Sequence, residues 1–475
     1  MSNASERPLW QLSATDLAAR TTTGQVSATA AVSASLERMR QTNGKLNAVV
    51  DDLSDKALAQ AAEHDKAFSK HGPIGPLHGV PVTVKINIDQ QDCATSNGVV
   101  AFKDLIASAD SPVVNNLQKA GAIIIGRTNT PEFSFRATTS NELFGRTFNP
   151  WNDWASSGGS SGGASTAVMA GMGALAHGND IAGSLRYPAA ATGSATVKPG
   201  LGRVPAYNPS ASAERGLMAQ LMSVQGVIAR EVRDVRLGMQ SLINYDAHDP
   251  WMVPMPFEGP RVDGPIKVGF TKEMLDFSLD PAVNAALDDA RAMLTEAGYQ
   301  VEEIEPPLLR ELARDGMGCL FGEVQALMAD DVRKYGSTTI NSIFDNYFEA
   351  FTPYEGKELL LAMGRRSRYV RAWTLKLQEY PLILTPFLPM PTYAWDRDEQ
   401  GLEGTKELLA KGIYSYTMNF MGLPAGNIAP SYNDGLPVGV QIVGQRFRED
   451  LILDACEAIE QRAGVMADRL FARVD

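Results

Sequence analysis

Lys85, Ser160 and Ser184 are the residues whose types and settings could do chemistry together. Lys85 is the only charge inside His78-Gly-Val-Pro-Val-Thr-Val-Lys-Ile-Asn-Ile88. Ser160 sits within Ser157-Gly-Gly-Ser-Ser-Gly-Gly163, and Ser184 within Gly178-Asn-Asp-Ile-Ala-Gly-Ser-Leu-Arg-Tyr-Pro188. An ammonium in apolar surroundings loses its hydration, so its pKa falls and the neutral amine becomes accessible near neutral pH. A neutral lysine can act as a general base. Together with two serines on glycine-rich turns it forms a proton relay and a nucleophile, the equipment for acyl transfer without histidine. The plain alternative for Lys85 is a lysine on the solvent face of an edge strand.

The two turns admit several readings. The small-residue run from Ala164 to Met172 predicts a helix behind Gly158-Gly-Ser-Ser-Gly-Gly163, with its positive end and free N–H groups facing the loop. A flexible linker does not fit in front of such a helix, and a P-loop would need Gly-Lys-Ser/Thr in register. Gly158-x-Ser160-x-Gly162 matches the nucleophile elbow of α/β-hydrolases, but Phe148-Asn-Pro-Trp-Asn-Asp-Trp154 is not the strand an elbow requires. The segment ending in Ser184 can aim consecutive main-chain N–H groups at one point, as an oxyanion hole does. Asp180 and Arg186 are placed to brace it with an ion pair; an ordinary loop ending in serine is the bland reading.

Elements able to hold these residues follow from periodicity. Val80 to Ile88 alternates strictly, with Thr83, Lys85 and Asn87 on one face. Ala122 to Gly126 reads as a short buried strand. Amphipathic helices are predicted near the start, one over Ser27 to Met39 before a turn at Thr42-Asn-Gly-Lys45, and another over Ser54 to Phe68, stopping at His71-Gly-Pro73. Further on, Ile266 to Phe270, a helix capped by Asp280-Pro281 and ended by Gly298, and Tyr299 to Ile304 form a βαβ unit. Pro437 to Val443 is a strand feeding a helix from Glu449 to Arg462. The fold class expected is α/β: one domain over 1–475, an α/β/α sandwich with a central mixed, largely parallel sheet flanked by helices. Tyr207 to Arg215 and Tyr245 to Gly264 read as decorations on that domain.

Composition narrows the function classes. The chain of 475 residues is 44% hydrophobic and 21% charged, as in ordinary globular proteins. With 43 basic and 55 acidic residues it carries no footprint for nucleic acid or anionic membrane. Cys93, Cys319 and Cys456 lack CxxC spacing and read as reduced thiols. The five histidines show no metal spacing, and no motif calls for a cofactor or metal. The opening Met1-Ser-Asn-Ala-Ser-Glu-Arg7 is polar, and no run approaches the roughly 18 apolar residues of a membrane span. A cytoplasmic protein with no membrane partner is expected.

The motifs taken together resemble the amidase signature family of serine hydrolases, the Ser–cis-Ser–Lys amide hydrolases. His78-Gly-Val-Pro-x-x-x-Lys85 matches the lysine strand; Gly126-Arg-Thr-Asn-Thr-Pro-Glu-Phe133 and Asn149-Pro-Trp-Asn152 match the segments before the serine–glycine loop. Gly158-Gly-Ser-Ser-Gly-Gly163 and Asp180-Ile-Ala-Gly-Ser-Leu-Arg-x-Pro188 match the signature. Asn419-x-x-Gly-Leu-Pro-Ala425 and Leu436-Pro-Val-Gly-Val-Gln-Ile-Val-Gly444 resemble the C-terminal blocks. The likeness spans about residues 10–465.

Residue by residue, the resemblance implies Lys85 as base, Ser160 as bridging serine and Ser184 as nucleophile. It implies an oxyanion hole from the N–H groups of Ile181, Ala182, Gly183 and Ser184, supports at Ser161, Asp180 and Arg186, and an acyl-side wall at Ser134 and Phe135. Two departures stand out. Ile86 replaces a frequent aspartate, and Ala182 replaces a usual glycine, which requires a negative φ there. The expected activity is hydrolysis of a small non-peptide carboxamide, alone or as a homodimer. Rivals are an esterase with Ser160 as nucleophile and His248 as base, and a glutamine-hydrolysing subunit of a tRNA-dependent amidotransferase. A binding protein that has lost catalysis is disfavoured by the presence of all three reacting residues. The segments Gly316 to Val324 and Tyr207 to Met222 are expected to shape the pocket; Met317, Leu320, Phe321, Leu217, Met218 and Leu221 suggest an apolar or aromatic acyl group.

Overall fold

A computed structural model describes residues 7–473; the rest of the polar opening segment, 1–6, lies outside the described residues. In chain order the strands are β1 (Val49–Asp52), β2 (Pro81–Lys85), β3 (Ile123–Thr128), β4 (Leu175–Asp180), β5 (Ala195–Lys198) and β6 (Val224–Ala229). Then follow β7 (Lys267–Phe270), β8 (Gln300–Glu303), β9 (Leu382–Pro386), β10 (Ala425–Asn433) and β11 (Leu436–Gly444). All join one sheet in the order β1-β3-β2-β4-β6-β5-β10-β11-β9-β7-β8. It is mixed, as expected, but less parallel than expected. Parallel pairing is confined to β2 with β3 and β4, and to β7 with β8 and β9. The middle is antiparallel: β4 with β6, β6 with β5, β5 with β10, β10 with β11, and β11 with β9.

Period-two alternation divides the strand residues between the two faces of the sheet. Val82, Val84, Ile124, Leu175, Val227, Leu382, Leu384, Val440 and Ile442 pack into one large core with helices that include Val232–Leu242, Pro281–Glu296 and Glu449–Ala463. Their neighbours Ile123, Ile125, Ala176, Ile228, Ile383 and Val443 belong to separate clusters with other helices. A fully buried Val or Ile side chain contributes about 1.5–3 kcal/mol, so a register slip in any central strand would forfeit several such contributions on both faces. Because Val82 and Val84 claim the first core, Thr83 and Lys85 must point the other way.

The helix predicted to stop at Met39 runs over Ala28–Leu46 instead. Asn43 and Gly44 lie inside it, and Asn47, at φ 49°, makes the left-handed cap. The Asn43 side chain ties this end down, accepting from the N–H groups of Ala48 and Val49 and donating to the Val49 carbonyl. Helix Ser54–His71 ends at Gly72, and Asp280 caps Pro281–Glu296 by accepting from Ala282 N–H, both as expected. β2 and β4 run parallel and end at Lys85 and Asp180, which brings the lysine strand and the Ser184 turn to the same end of the sheet.

Candidate active site

β2 is flanked by β3 and β4, and Lys85 is 0% exposed, which removes the edge-strand alternative. Burial holds its ammonium well below the usual lysine range, with the Asp180 charge opposing in part. The Lys85 Nζ lies 2.7 Å from Ser160 Oγ, 3.1 Å from Ser161 Oγ and 2.8 Å from Asn179 Oδ1. A proton count orders these contacts. A neutral amine has two N–H bonds and one lone pair. Asn179 Oδ1 can only accept, and its Nδ2 donates to Asn87 Oδ1 at 2.9 Å. The Ser161 hydroxyl gives its proton to the Asn179 carbonyl at 3.3 Å and accepts from Lys85. The lone pair is thus left for the hydroxyl of Ser160.

Ser160 follows a cis peptide bond and immediately precedes Ser161, the residue ahead of helix Gly162–Met169. Glycine is required at 158: φ is +74°, and a Cβ would come within 2.5 Å of the Pro188 backbone. No strand precedes the loop; Phe148–Ser156 is only an isolated bridge. The elbow reading loses its geometry and also its base. His248 is an exposed residue paired with Asp246 and stacked on Tyr207, and Ser160 makes its side-chain hydrogen bond to Lys85.

The turn carrying Ser184 is built on Asp180. One carboxylate oxygen accepts from Gly183 N–H at 2.7 Å, the other from Leu185 N–H at 3.1 Å. Arg186 donates to both oxygens at 3.1 Å, giving the expected ion pair, with both side chains fully buried. Burial pushes the Asp180 carboxyl up, but the charge and hydrogen bonds of Arg186 outweigh it and hold the group at about 2. Arg186 also donates to the carbonyls of Tyr414 and Ser415, to Gln441 Oε1 and to Asn419 Oδ1. One expected oxyanion donor is therefore already committed. The N–H of Gly183 belongs to Asp180, while those of Ile181, Ala182 and Ser184 find no protein acceptor among the described residues. Ala182 is not among the residues of positive φ; that conformation falls on Gly183, at 119°. Ser161 N–H donates to the Ser184 carbonyl at 3.2 Å, which joins the two turns, although the hydroxyls of Ser184 and Ser160 do not hydrogen-bond.

Ser134 and Phe135, the residues expected to form an acyl-side wall, stand in one cavity with Ser184. With Ile181, Ala182, Tyr187, Met317, Leu320, Phe321 and Leu409 they line an apolar cavity that opens onto Ser184. Its charged lining residue, Arg136, is engaged by Asp398 and Glu399 at 2.7–2.8 Å. The segment Gly316 to Val324 thus contributes as expected. Met218 and Leu221 do not: they are buried in the helical core with Phe321, and Leu217 is exposed. A second, larger cavity of about 480 Å³ meets the site at Asn87 and Asn179.

Asn87 and Asn179 were not singled out from the sequence, although Asn87 shares a face with Lys85. They link the lysine to Ser134, whose Oγ accepts from Asn87 Nδ2 at 2.9 Å and donates to Asn97 at 2.6 Å. His177 touches Lys85 only through the main chain. Burial holds its imidazole at about 3, with Gln225 bound to Nε2 at 2.8 Å, so it stays neutral. All three cysteines are free and buried. Burial raises the thiols of Cys93, Cys319 (to about 12) and Cys456 out of the reactive range. Among the described residues no cluster of His, Cys, Asp and Glu could hold a metal ion, and no helix is long and apolar enough to cross a membrane.

The model of the amidase family matches residues 30–453. The chain belongs to this family. It is 45% identical, over 98% of its own length and 90% of the relative's, to an indoleacetamide hydrolase of Bradyrhizobium diazoefficiens. To a glutamyl-tRNA(Gln) amidotransferase subunit from Heliobacterium modesticaldum it is 28% identical, over 93% and 94%. Its fold superposes on a bacterial aryl acylamidase of the amidase signature family with a TM-score of 0.84 at 26% identity, covering 98% and 99% of the two chains. The amidase is a hydrolase of carbon–nitrogen bonds in non-peptide amides.

Proposed function

We propose that this amidase hydrolyses an arylacetamide of the indoleacetamide kind through an acyl-enzyme on Ser184. The substrate's aryl group fills the apolar cavity, with its carbonyl over the Ser184 turn. Ser184 Oγ attacks the carbonyl carbon and passes its proton to Ser160, which gives its own to the Lys85 lone pair. The N–H groups of Ile181, Ala182 and Ser184 stabilise the oxyanion, while Gly183 serves the turn itself. Protons then return through Ser160 to the departing nitrogen, ammonia leaves, and water cleaves the ester by the same relay.

The observation that carries the substrate reading is the cavity at Ser184, apolar and with no uncommitted charge. A glutamine head, zwitterionic at neutral pH, would lose its hydration there without a partner. This supports the arylacetamide over the amidotransferase alternative, to whose family the chain is also the more distantly related. The continuous sheet supports reading 1–475 as one catalytic domain. We place the enzyme in the cytoplasm, on the free state of its cysteines; sizing in solution distinguishes a monomer from a homodimer.

The test is ammonia release from indoleacetamide, phenylacetamide and glutamine by the isolated chain. Turnover of the two aryl amides, lost in Ser184→Ala, is expected. Preference for glutamine would overturn the reading.

A further inference from the structure

We propose that the second cavity is an amine-side subsite for leaving groups that bear a carboxylate, so that the enzyme also hydrolyses N-arylacetyl amino acids. The inference rests on the acyl-side assignment made above. The apolar cavity holds the acyl group against Ser184, whereas the second cavity reaches the site at Asn179, whose Oδ1 lies 2.8 Å from Lys85 Nζ. Protons reach the leaving nitrogen from the Lys85–Ser160 side. The nitrogen turns its lone pair to that donor, and its substituent, directed away from the acyl cavity, has the second cavity as the space beside the site that it can enter. Ammonia needs no such room; a space of about 480 Å³ suits an amine of amino-acid size.

The walls specify the charge of that amine. Arg215, half-buried on the cavity wall, donates to the Ala206 carbonyl at 3.2 Å, and among the described residues no carboxylate lies at ion-pair distance from it, the charges of Asp249 and Glu214 acting on it from farther away. The buried acid of this wall, Asp249, spends its oxygens on the N–H groups of Ala206 and Trp251 at 2.8 Å. Glu214 is exposed to solvent. Gln220 fixes the rim, donating to the Arg215 carbonyl and accepting from the Trp251 indole N–H. A guanidinium with no carboxylate in direct contact, set in a polar cavity on the amine side, offers an α-carboxylate the close, charge-assisted pairing that Asp249 and Glu214 do not make with it.

The chemistry adds no reactant. The Ser184 Oγ–C bond forms and the C–N bond breaks, the nitrogen leaves with a proton from Ser160, and water then cleaves the acyl ester. The products are an arylacetate and a free amino acid.

The experiment compares three amides of one arylacetic acid: the primary amide, the N-(2-hydroxyethyl) amide and the glycine conjugate. They are assayed with the wild type, Arg215→Gln, Arg215→Lys and Ser184→Ala. Support is turnover of the glycine conjugate by the wild type and a fall in kcat/KM of about tenfold or more in Arg215→Gln. That fall must exceed the loss on the two uncharged amides and be partly recovered in Arg215→Lys. No glycine-conjugate turnover above the Ser184→Ala background, with the primary amide hydrolysed, overturns the subsite. Equal losses on all three substrates in Arg215→Gln overturn the carboxylate assignment. Failure on the primary amide instead removes the preceding functional reading.

Discussion

The Asp180 carboxylate and the Gly183 N–H lie 2.7 Å apart, so the group that anchors the Ser184 turn takes one donor out of it. The three N–H groups left without a protein acceptor among the described residues, those of Ile181, Ala182 and Ser184, are the donors we propose for the oxyanion, on a turn held by an acid that is itself held by Arg186.

Breaking that pair should therefore cost both stability and rate. Arg186→Gln leaves a buried carboxylate without its cation, a loss of about 3–5 kcal/mol. In the protein that still folds, kcat should fall while KM changes little, because the donors aim at charge that develops only in the transition state. Thermal melts and steady-state kinetics at a temperature below the variant's Tm check this. An unchanged kcat would mean that the turn holds its shape without Arg186.

The pH dependence follows from Lys85. Its burial lowers the ammonium pKa well below the usual lysine value, and the relay needs the neutral amine, so activity should climb with pH through that lowered pKa and then level. Lys85→Ala should lower kcat by about 10²–10⁴-fold and abolish the limb. Lys198, also buried, is held at about 7 by desolvation and by Arg186, so its own titration would also give an ascending limb. Lys198→Met is the control, and the limb should survive in it. A limb that vanishes there and persists in Lys85→Ala would move the base to the wrong lysine.

Much of this site was legible because its residues break local rules in short windows. A charge in an apolar strand and serines among glycines are visible without tertiary knowledge. The antiparallel centre was not. β4, β6 and β5 are buried almost throughout on both faces, polar residues included, so they show no clean alternation, and their pairing joins distant segments, so nothing local gives strand direction. The helix through Asn43-Gly44 was missed because a turn-like dipeptide was outweighed by capping at Asn47 and by the Asn43 side chain. Tyr187 and Leu409 reach the acyl cavity from elements far apart in sequence. The capture of Gly183 N–H by Asp180 depends on how the turn closes, which composition does not encode.

Away from the site, Glu460 makes stability depend on pH. Burial raises its carboxyl to about 8, against a bond from Val232 N–H that favours ionisation; Glu231, Asp234 and Glu457 push the same way as burial. Below the unfolded value near 4.5 both states are protonated and nothing is lost. As pH rises from there to about 8, the unfolded chain ionises first and stability falls, levelling above. Glu460→Gln keeps an acceptor and cannot ionise. Its Tm should match the wild type near pH 4.5 and exceed it at pH 9, by roughly 1–3 kcal/mol of stability. A constant difference across that range would rule out Glu460 as the source.

Ser160 separates the mechanism we propose from a simple serine–lysine dyad. Its hydroxyl sits 2.7 Å from Lys85 Nζ, and the proton count leaves the amine's lone pair to it. It can take the proton of Ser184 while giving up its own, then deliver one to the leaving nitrogen. An amide anion is a very poor leaving group and needs that delivery, whereas a nitrophenolate departs unaided. Ser160→Ala should cost about 10²–10⁴-fold on an arylacetamide and less on the matched nitrophenyl ester. Lys85 keeps Ser161 and Asn179 as partners in the variant, so the fold should survive, and circular dichroism and thermal melting can verify this. Acylation rates on both substrates decide the matter. Equal losses would show that Ser160 only positions Ser184, and the shuttle would have to be assigned to water.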